Sequence, residues 1–364
     1  MAADAEANKK HLSARTQTPA KNSRVFVYNL PHMRQFIFIL VLFLAAAFIY
    51  LSFGEIQSSL QTLQQGNVWF ILLAILIQSG WFVTTGFTYL TLYRILGMDE
   101  TISRITLMTA AANFVNVIAP SAGMGGMAVF ISEAHRNGRS PGKVTVISVL
   151  FIFIDYLAFL VVLTCGLIVL FRRNDLGPSE IAASIVILTI ATILGFLLYL
   201  GSRSAESLGN ALAWMTRLVN RITKPFMHHD YLSETRAHDF AYEMATDLKS
   251  LPEKSRSLIR PLLFAFTGKV LMMGVLLVSF LSFQVPFSAG TIIGGFSISY
   301  LFLIVSPTPS GIGIVEGVMP LALTSLRVPW SQAVIITLAY RGVTFWFPLG
   351  VGAIAFRILN RTKK

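Results

Sequence analysis

Val305-Ser306-Pro307-Thr308-Pro309-Ser310-Gly311-Ile312-Gly313 breaks an otherwise apolar stretch that runs from 291 to 326. The prolines remove backbone donors and end a helix, and the glycines let backbone approach backbone or ligand closely. Irregular backbone is tolerated at membrane depth only where it is buried in protein or lines a cavity. A break of similar composition occurs earlier, in the apolar stretch 105–131: Asn116-Val117-Ile118-Ala119-Pro120-Ser121-Ala122-Gly123-Met124-Gly125-Gly126. Each tip is Pro-Ser followed by alternating glycines, a short apolar helix, a turn and a long span. The first of these spans carries Asp155 and the second Arg341.

The rest of the chain explains why such breaks stand out. Of 364 residues, 54% are hydrophobic and only 13% charged, against about 25% charged in a soluble domain. A soluble enzyme with one buried core is thereby excluded, and the fold class is an all-α polytopic membrane protein. A bilayer core of about 30 Å takes roughly 20 apolar residues per helix. That ruler places full spans near 36–53, 68–96, 144–171, 181–201, 261–284 and 332–356. Residues 1–35 form a basic, polar tail expected to be disordered. No small-residue cleavage site follows the first apolar run, so 36–53 is expected to remain as an anchor. The one cysteine, Cys165, can form no disulfide within the chain.

Lysine and arginine set the orientation. Loops 94–104 and 132–143 are both basic, although a full span between them would put them on opposite sides. The simplest repair makes 105–131 a re-entrant hairpin that enters and leaves from the cytoplasmic face. If 291–326 is a second such hairpin from the opposite face, 24 of the 29 Lys and Arg lie inside. Arg172, Arg173 and Arg327 then lie outside, and Lys269 and Arg341 within spans. The net charge of +12 is on this account a topological label and makes no case for nucleic acid.

The layout is an inverted-topology repeat. The first membrane half is 36–201 with its hairpin at 105–131. A cytoplasmic amphipathic insert follows at 202–260, then the remainder of the second half at 261–358 with its hairpin at 291–326, and a basic end at 359–364. Discontinuous helices at matching positions of such a repeat point to a transporter with its site near the midplane. New helices are expected to start near Gly126 and Ile314, with their N–H groups aimed into the membrane, an arrangement suited to phosphate. Glycines that serve only close helix packing are the competing explanation.

Four ionisable residues, Asp155, Lys269, Glu316 and Arg341, lie inside apolar segments. Each costs about 2.5–3.5 kcal/mol at a helix centre on insertion scales, so pairing or cavity exposure is expected. Asp155 with Arg341, in corresponding spans, is the expected pair. Lys269 is near enough to its span end to snorkel. Such groups either lock helix register or line a polar path, and Asn113 and Asn116 either bind a headgroup or satisfy carbonyls freed by Pro120. The candidate substrate-binding set is Asn113, Asn116, Pro120, Ser121, Gly123, Gly125, Gly126, Asp155, Lys269, Ser306, Pro307, Pro309, Gly311, Gly313, Glu316 and Arg341.

No nucleophile motif, paired carboxylates or phosphate loop is present, and the six histidines lie in polar segments without zinc spacing. Neither catalysis, a metal nor a cofactor is expected. In the insert, Leu208, Leu212, Met215, Leu218, Val219 and Ile222 form one apolar stripe, and Phe240, Met244, Leu248 and Leu251 a second. Such helices commonly lie in the headgroup plane; docking of a partner enzyme is the other use.

At its two breaks the chain resembles the transmembrane flippase region of lysylphosphatidylglycerol synthases and their stand-alone relatives. That family carries an Asn…Pro…Gly-Gly hairpin, here Asn116…Pro120…Gly125-Gly126. It also carries a Pro-x-Pro-Gly-Gly-x-Gly-x-x-Glu hairpin, here Pro307-Thr308-Pro309-Ser310-Gly311-Ile312-Gly313-Ile314-Val315-Glu316. The resemblance spans roughly 36 to 358. Ser310 replaces a usual glycine, and the basic residue expected soon after the first Gly-Gly is absent from Met127-Ala128-Val129-Phe130. The synthase half is also expected to be absent. The resemblance implies a flippase-like transporter of a phospholipid, aminoacylated lipid or lipid-linked headgroup, one with an anionic phosphate. It implies a bacterial cytoplasmic (inner) membrane, and the Lys and Arg distribution places both termini in the cytoplasm. An accessory subunit recruiting a lipid synthase or glycosyltransferase, and an ion-coupled small-solute transporter, are the alternatives.

Overall fold

The computed structural model describes residues 54, 57–118, 124–174, 176–227, 233–249, 255–306 and 308–361. The tail, the expected span 36–53 and site residues Pro120, Ser121, Gly123 and Pro307 lie outside the described residues. Among the described residues there is no strand. After a helical stretch over 57–65 come α1 (Val68–Ile95), α2 (Ile102–Ile118), α3 (Met124–Arg136), α4 (Pro141–Arg173), α5 (Pro178–Arg203), α6 (Ala205–Met227) and α7 (Glu234–Lys249). Then follow α8 (Ile259–Ser282), α9 (Ala289–Val305), α10 (Ile314–Ser325), α11 (Trp330–Arg341) and α12 (Phe347–Arg361).

Five helices among the described residues are long and apolar enough to cross a membrane: α1, α4, α5, α8 and the continuous rod Trp330–Arg361. They coincide with five of the six expected spans. α4, α5 and the rod run a few residues past their apolar cores at both ends, and the sequence supplies the ends. Asn67 accepts the Trp69 N–H at the start of α1, 3.0 Å. Ser140 caps α4, with Pro141 in the first turn, where a missing N–H costs nothing. Asn174 closes α4 in the left-handed region at φ 58°.

The outward faces of α1 and α5 are apolar, with Trp69, Leu76, Ile185, Leu188 and Phe196 exposed. A soluble monomer would not leave so extended an apolar surface in water; lipid is its natural solvent. The protein is an integral membrane protein. α1 packs chiefly on α8, α2 on α12, and α4 on α9. Gly352 admits this closeness, since a Cβ there would lie 2.6 Å from the Ala110 carbonyl oxygen.

Both interrupted stretches form a pair of short helices in contact with each other, α2 with α3 and α9 with α10. The insert forms α6 and then α7, which packs against other helices. Its Ala241, Met244, Ala245 and Leu248 are buried, and it packs on α4, α5 and α6. Protein thus covers Met244 and Leu248 of the second stripe, while Phe240 is exposed and Leu251 lies outside the described residues. On α6 Leu208 is buried, while Trp214, Met215, Leu218 and Val219 are exposed.

Candidate functional site

The two broken helices attach to opposite ends of α4. At its N-terminal end, Arg104 of α2 is ion-paired with Glu133 of α3 and donates to Asn137 Oδ1 at 3.1 Å. Arg139 and Glu100 pair at 2.5 Å, and Lys143 Nζ donates to the Leu96 carbonyl at 3.5 Å. The loops 94–104 and 132–143 therefore sit together. At the other end of α4, Arg173 donates to Ser288 Oγ at 3.0 Å and to the Leu326 carbonyl at 3.2 Å. One side chain thus gathers the start of α9 and the end of α10. The 33 residues of α4, about 50 Å at 1.5 Å per residue, separate the two hairpin bases. The turn Pro309–Gly311 nevertheless touches α2, so the hairpins approach each other.

Burial there is paired. Lys269 of α8, 2% exposed, donates to Asp155 Oδ1 and Oδ2 of α4 at 2.7 and 2.8 Å. Its ammonium also donates to the Tyr300 hydroxyl of α9 at 2.6 Å and lies 4.3 Å from that ring's centroid. Arg341 of α11, likewise 2% exposed, pairs with Glu316 of α10, donates to the Ser310 carbonyl at 3.3 Å and lies 4.4 Å over the Phe345 ring. The expected Asp155–Arg341 pair is thus incorrect. Correspondence within a repeat says nothing about lateral neighbours, and α8 and α10 lie closer to the respective partners. Lys269 does not snorkel; it turns inward, where Asp155 and Tyr300 use its three donors.

The helix starts after the breaks are also already served. The Gly126 N–H of α3 donates to Asn116 Oδ1 at 2.5 Å, across the break. Asn116 thus caps a donor through its side-chain oxygen. A Cβ on Gly126 would lie 2.6 Å from Asn116 Nδ2, which explains glycine there. Asn113 is half-buried on α2 and Gly125 is buried on α3. At the second break the Gly313 N–H donates to Glu316 Oε2 at 2.7 Å, a carboxylate at the positive end of α10. Ser310, Gly311 and Gly313 have φ of 50°, 74° and 77°, in the region that favours glycine. Pro309 opens this turn, and Ser306 ends α9, its N–H bonded to the Phe302 carbonyl at 2.9 Å.

Composition and spacing did not point to Tyr300, Phe345 or the Arg173 clamp. Tyr300 sits in an apolar run that reads as packing, and Arg173 reads as an ordinary loop cation.

The family model described as "Lysylphosphatidylglycerol synthase TM region" matches residues 36–352. A UPF0104 membrane protein of Methanothermobacter thermautotrophicus is 24% identical over 328 residues, covering 87% of this chain and 93% of the relative. A UPF0104 membrane protein of Pyrococcus horikoshii is 26% identical over 321 residues, covering 84% of this chain and 92% of the relative. With helices, breaks and buried charges in the order described above, the chain belongs to the lysylphosphatidylglycerol synthase transmembrane-region family.

Proposed function

We propose that the protein is a transporter, not an enzyme, and moves a phosphate-bearing lipid or lipid-linked headgroup between leaflets of the cytoplasmic membrane. The observation that carries this reading is that two broken helices, anchored at opposite ends of α4, approach each other beside two buried ion pairs. Helices of 17 and 13 residues, and of 17 and 12, are short for a crossing that takes about 20. With both ends of each hairpin held together, each enters and leaves on one face, the first from the cytoplasm.

The chemistry follows from the pairs. Lys269 and Arg341 place positive charge where a carboxylate is the counter-ion of each. An anionic headgroup that reaches Arg341 replaces Glu316, and one that reaches Lys269 replaces Asp155. Each exchange keeps the cation neutralised in low dielectric once the displaced carboxylate has moved to water or taken up a proton, and the loss of Glu316 from Arg341 frees the second hairpin. Because the Gly126 and Gly313 N–H groups are bonded within the protein, these cations supply the attraction for the phosphate, with the helix ends secondary. Rocking of the halves about the meeting point then exposes the site to alternate faces, in the manner of inverted-repeat carriers.

The test is reconstitution in vesicles with a fluorescent anionic phospholipid and a membrane-impermeant quencher outside. The expected result is faster loss of inner-leaflet fluorescence than in protein-free vesicles, and its absence from Arg341→Gln vesicles. Equal rates with and without protein, for anionic and zwitterionic headgroups alike, would sink the reading.

A further inference from the structure

α5 ends at Arg203 and α6 begins at Ala205, with Ser204 alone between them, extended at φ −153° and ψ 123°. The Ser204 hydroxyl accepts the Ser207 N–H at 3.2 Å and so starts the new helix. A chain that turns within one residue of a membrane span begins its next helix at the level where the span ends. Leu208, 2% exposed, holds α6 there, since a Cβ on Gly201 of α5 would lie 3.0 Å from Leu208 Cδ2.

One face of α6 is closed by protein. Leu208, Gly209, Ala213, Thr216 and Asn220 are buried, and the helix packs chiefly on α7 and α5. α7 in turn packs on α4 and α5, which leaves α6 as the outer helix of the insert. Its other face carries Trp214, Met215, Leu218 and Val219, all exposed. Spacings of three and four residues gather these into one stripe. Arg217 and Arg221, also exposed, follow Trp214 and Leu218 by three residues and so run along one edge of it. Glu206, in the first turn, is the one acidic residue in Ala205–Met227.

Two observations say what meets this face. The first is continuity with the apolar outer surface of α5. Phe196 and Tyr199 are exposed there, and the Arg203 guanidinium lies 5.6 Å over the Tyr199 ring, an aromatic and a cation where the span leaves the hydrocarbon. The second is charge. Arg203, Arg217 and Arg221 border an apolar stripe that holds a tryptophan, the composition of a helix lying in the plane of an anionic leaflet.

We propose that α6 lies in the headgroup layer at this end of the bundle, its stripe against the upper acyl carbons and its arginines on the phosphates of anionic phospholipid. This seating is independent of the transport reading; a protein that flips nothing would bind the leaflet in the same way.

The test uses full-length protein in vesicles of one phosphatidylglycerol and phosphatidylcholine mixture, in which either lipid carries bromine near the top of its acyl chains. Subtracting the emission of Trp214→Phe isolates Trp214. The expected result is quenching of Trp214 by both lipids, several-fold stronger with the brominated phosphatidylglycerol. That preference should disappear in the double variant Arg203→Gln with Arg221→Gln, and in 1 M salt, where charges are screened within about 3 Å. No quenching by either lipid would turn the stripe away from the membrane and overturn the proposal. Equal quenching by both in the wild type would remove recognition of anionic lipid and overturn it too. So would Trp214 emission in detergent that shifts with protein concentration, which assigns the stripe to a second copy of the chain.

Discussion

Lys269 on α8 holds both carboxylate oxygens of Asp155 on α4, at 2.7 and 2.8 Å, joining two spans from residues 114 apart in the chain. The pair crosses from the first membrane half to the second. With Tyr300 on α9 as the third acceptor, it also ties the second hairpin to both halves. A buried pair of this kind adds little net stability compared with an apolar substitute, but removing one partner strands the other.

Asp155→Asn is therefore expected to destabilise the protein by about 3–5 kcal/mol, read by thermal unfolding in detergent. Asp155→Leu combined with Lys269→Met should recover most of that loss, since it removes both charges. Transport should stay absent in the double variant. Recovery of flipping along with stability would reduce the pair to a structural lock.

Arg341→Lys tests the fork. Arg341 reaches Glu316 through Nε and the Ser310 carbonyl through another guanidinium nitrogen, and a single ammonium cannot reproduce that spread. Loss of one charge-assisted bond is worth about 1.5–3 kcal/mol. Flipping in Arg341→Lys at the wild-type rate would show that positive charge alone suffices.

At the second tip the conformations predict opposite effects. Gly311→Ala places a Cβ 2.6 Å from Val315 Cγ2 at φ 74°, and should lower stability by more than about 1 kcal/mol. Ser310→Gly relieves a left-handed serine at φ 50° and should be neutral or stabilising by less than about 1 kcal/mol. Paired melting curves of the two variants decide this.

The base of the first hairpin should be sensitive to acid. Burial pushes the Glu133 carboxyl up, but hydrogen bonds from Arg104 and Asn137 and the charges of Arg104 and Arg136 outweigh it, leaving it below its ordinary value of 4.5. A carboxyl with a depressed folded value contributes stability that is complete above 4.5 and is lost as pH falls through the folded value. Hydrogen exchange over 100–139 should therefore accelerate below about pH 4.5, and Glu133→Gln should remove the pH dependence. An unchanged profile in the variant would place the acid sensitivity elsewhere.

Much of this was legible in the residues. Spans appear as apolar runs because the bilayer imposes a length, and α10 starts at Ile314, as the glycines before it imply. Two arrangements were not legible. Asn116 caps Gly126 across a break, a contact set by how tightly α2 and α3 close. The Glu316–Arg341 pair, 25 residues apart, competes in the sequence with a Glu316–Lys269 pair and with the Asp155–Arg341 pair that the repeat suggests.

By itself the sequence determined the helices, their ends, the two breaks and the scarcity of charge in the membrane. Those follow from local chemistry: hydrocarbon thickness, proline's missing donor, glycine's freedom and the cost of burying an ion. Tertiary structure alone decided which charges pair, and that Arg173 gathers one hairpin and Glu133 the other. Hydropathy marks which segments lie within the bilayer, whereas partners across it are chosen by lateral packing of helix faces, to which residues far apart in the chain contribute together.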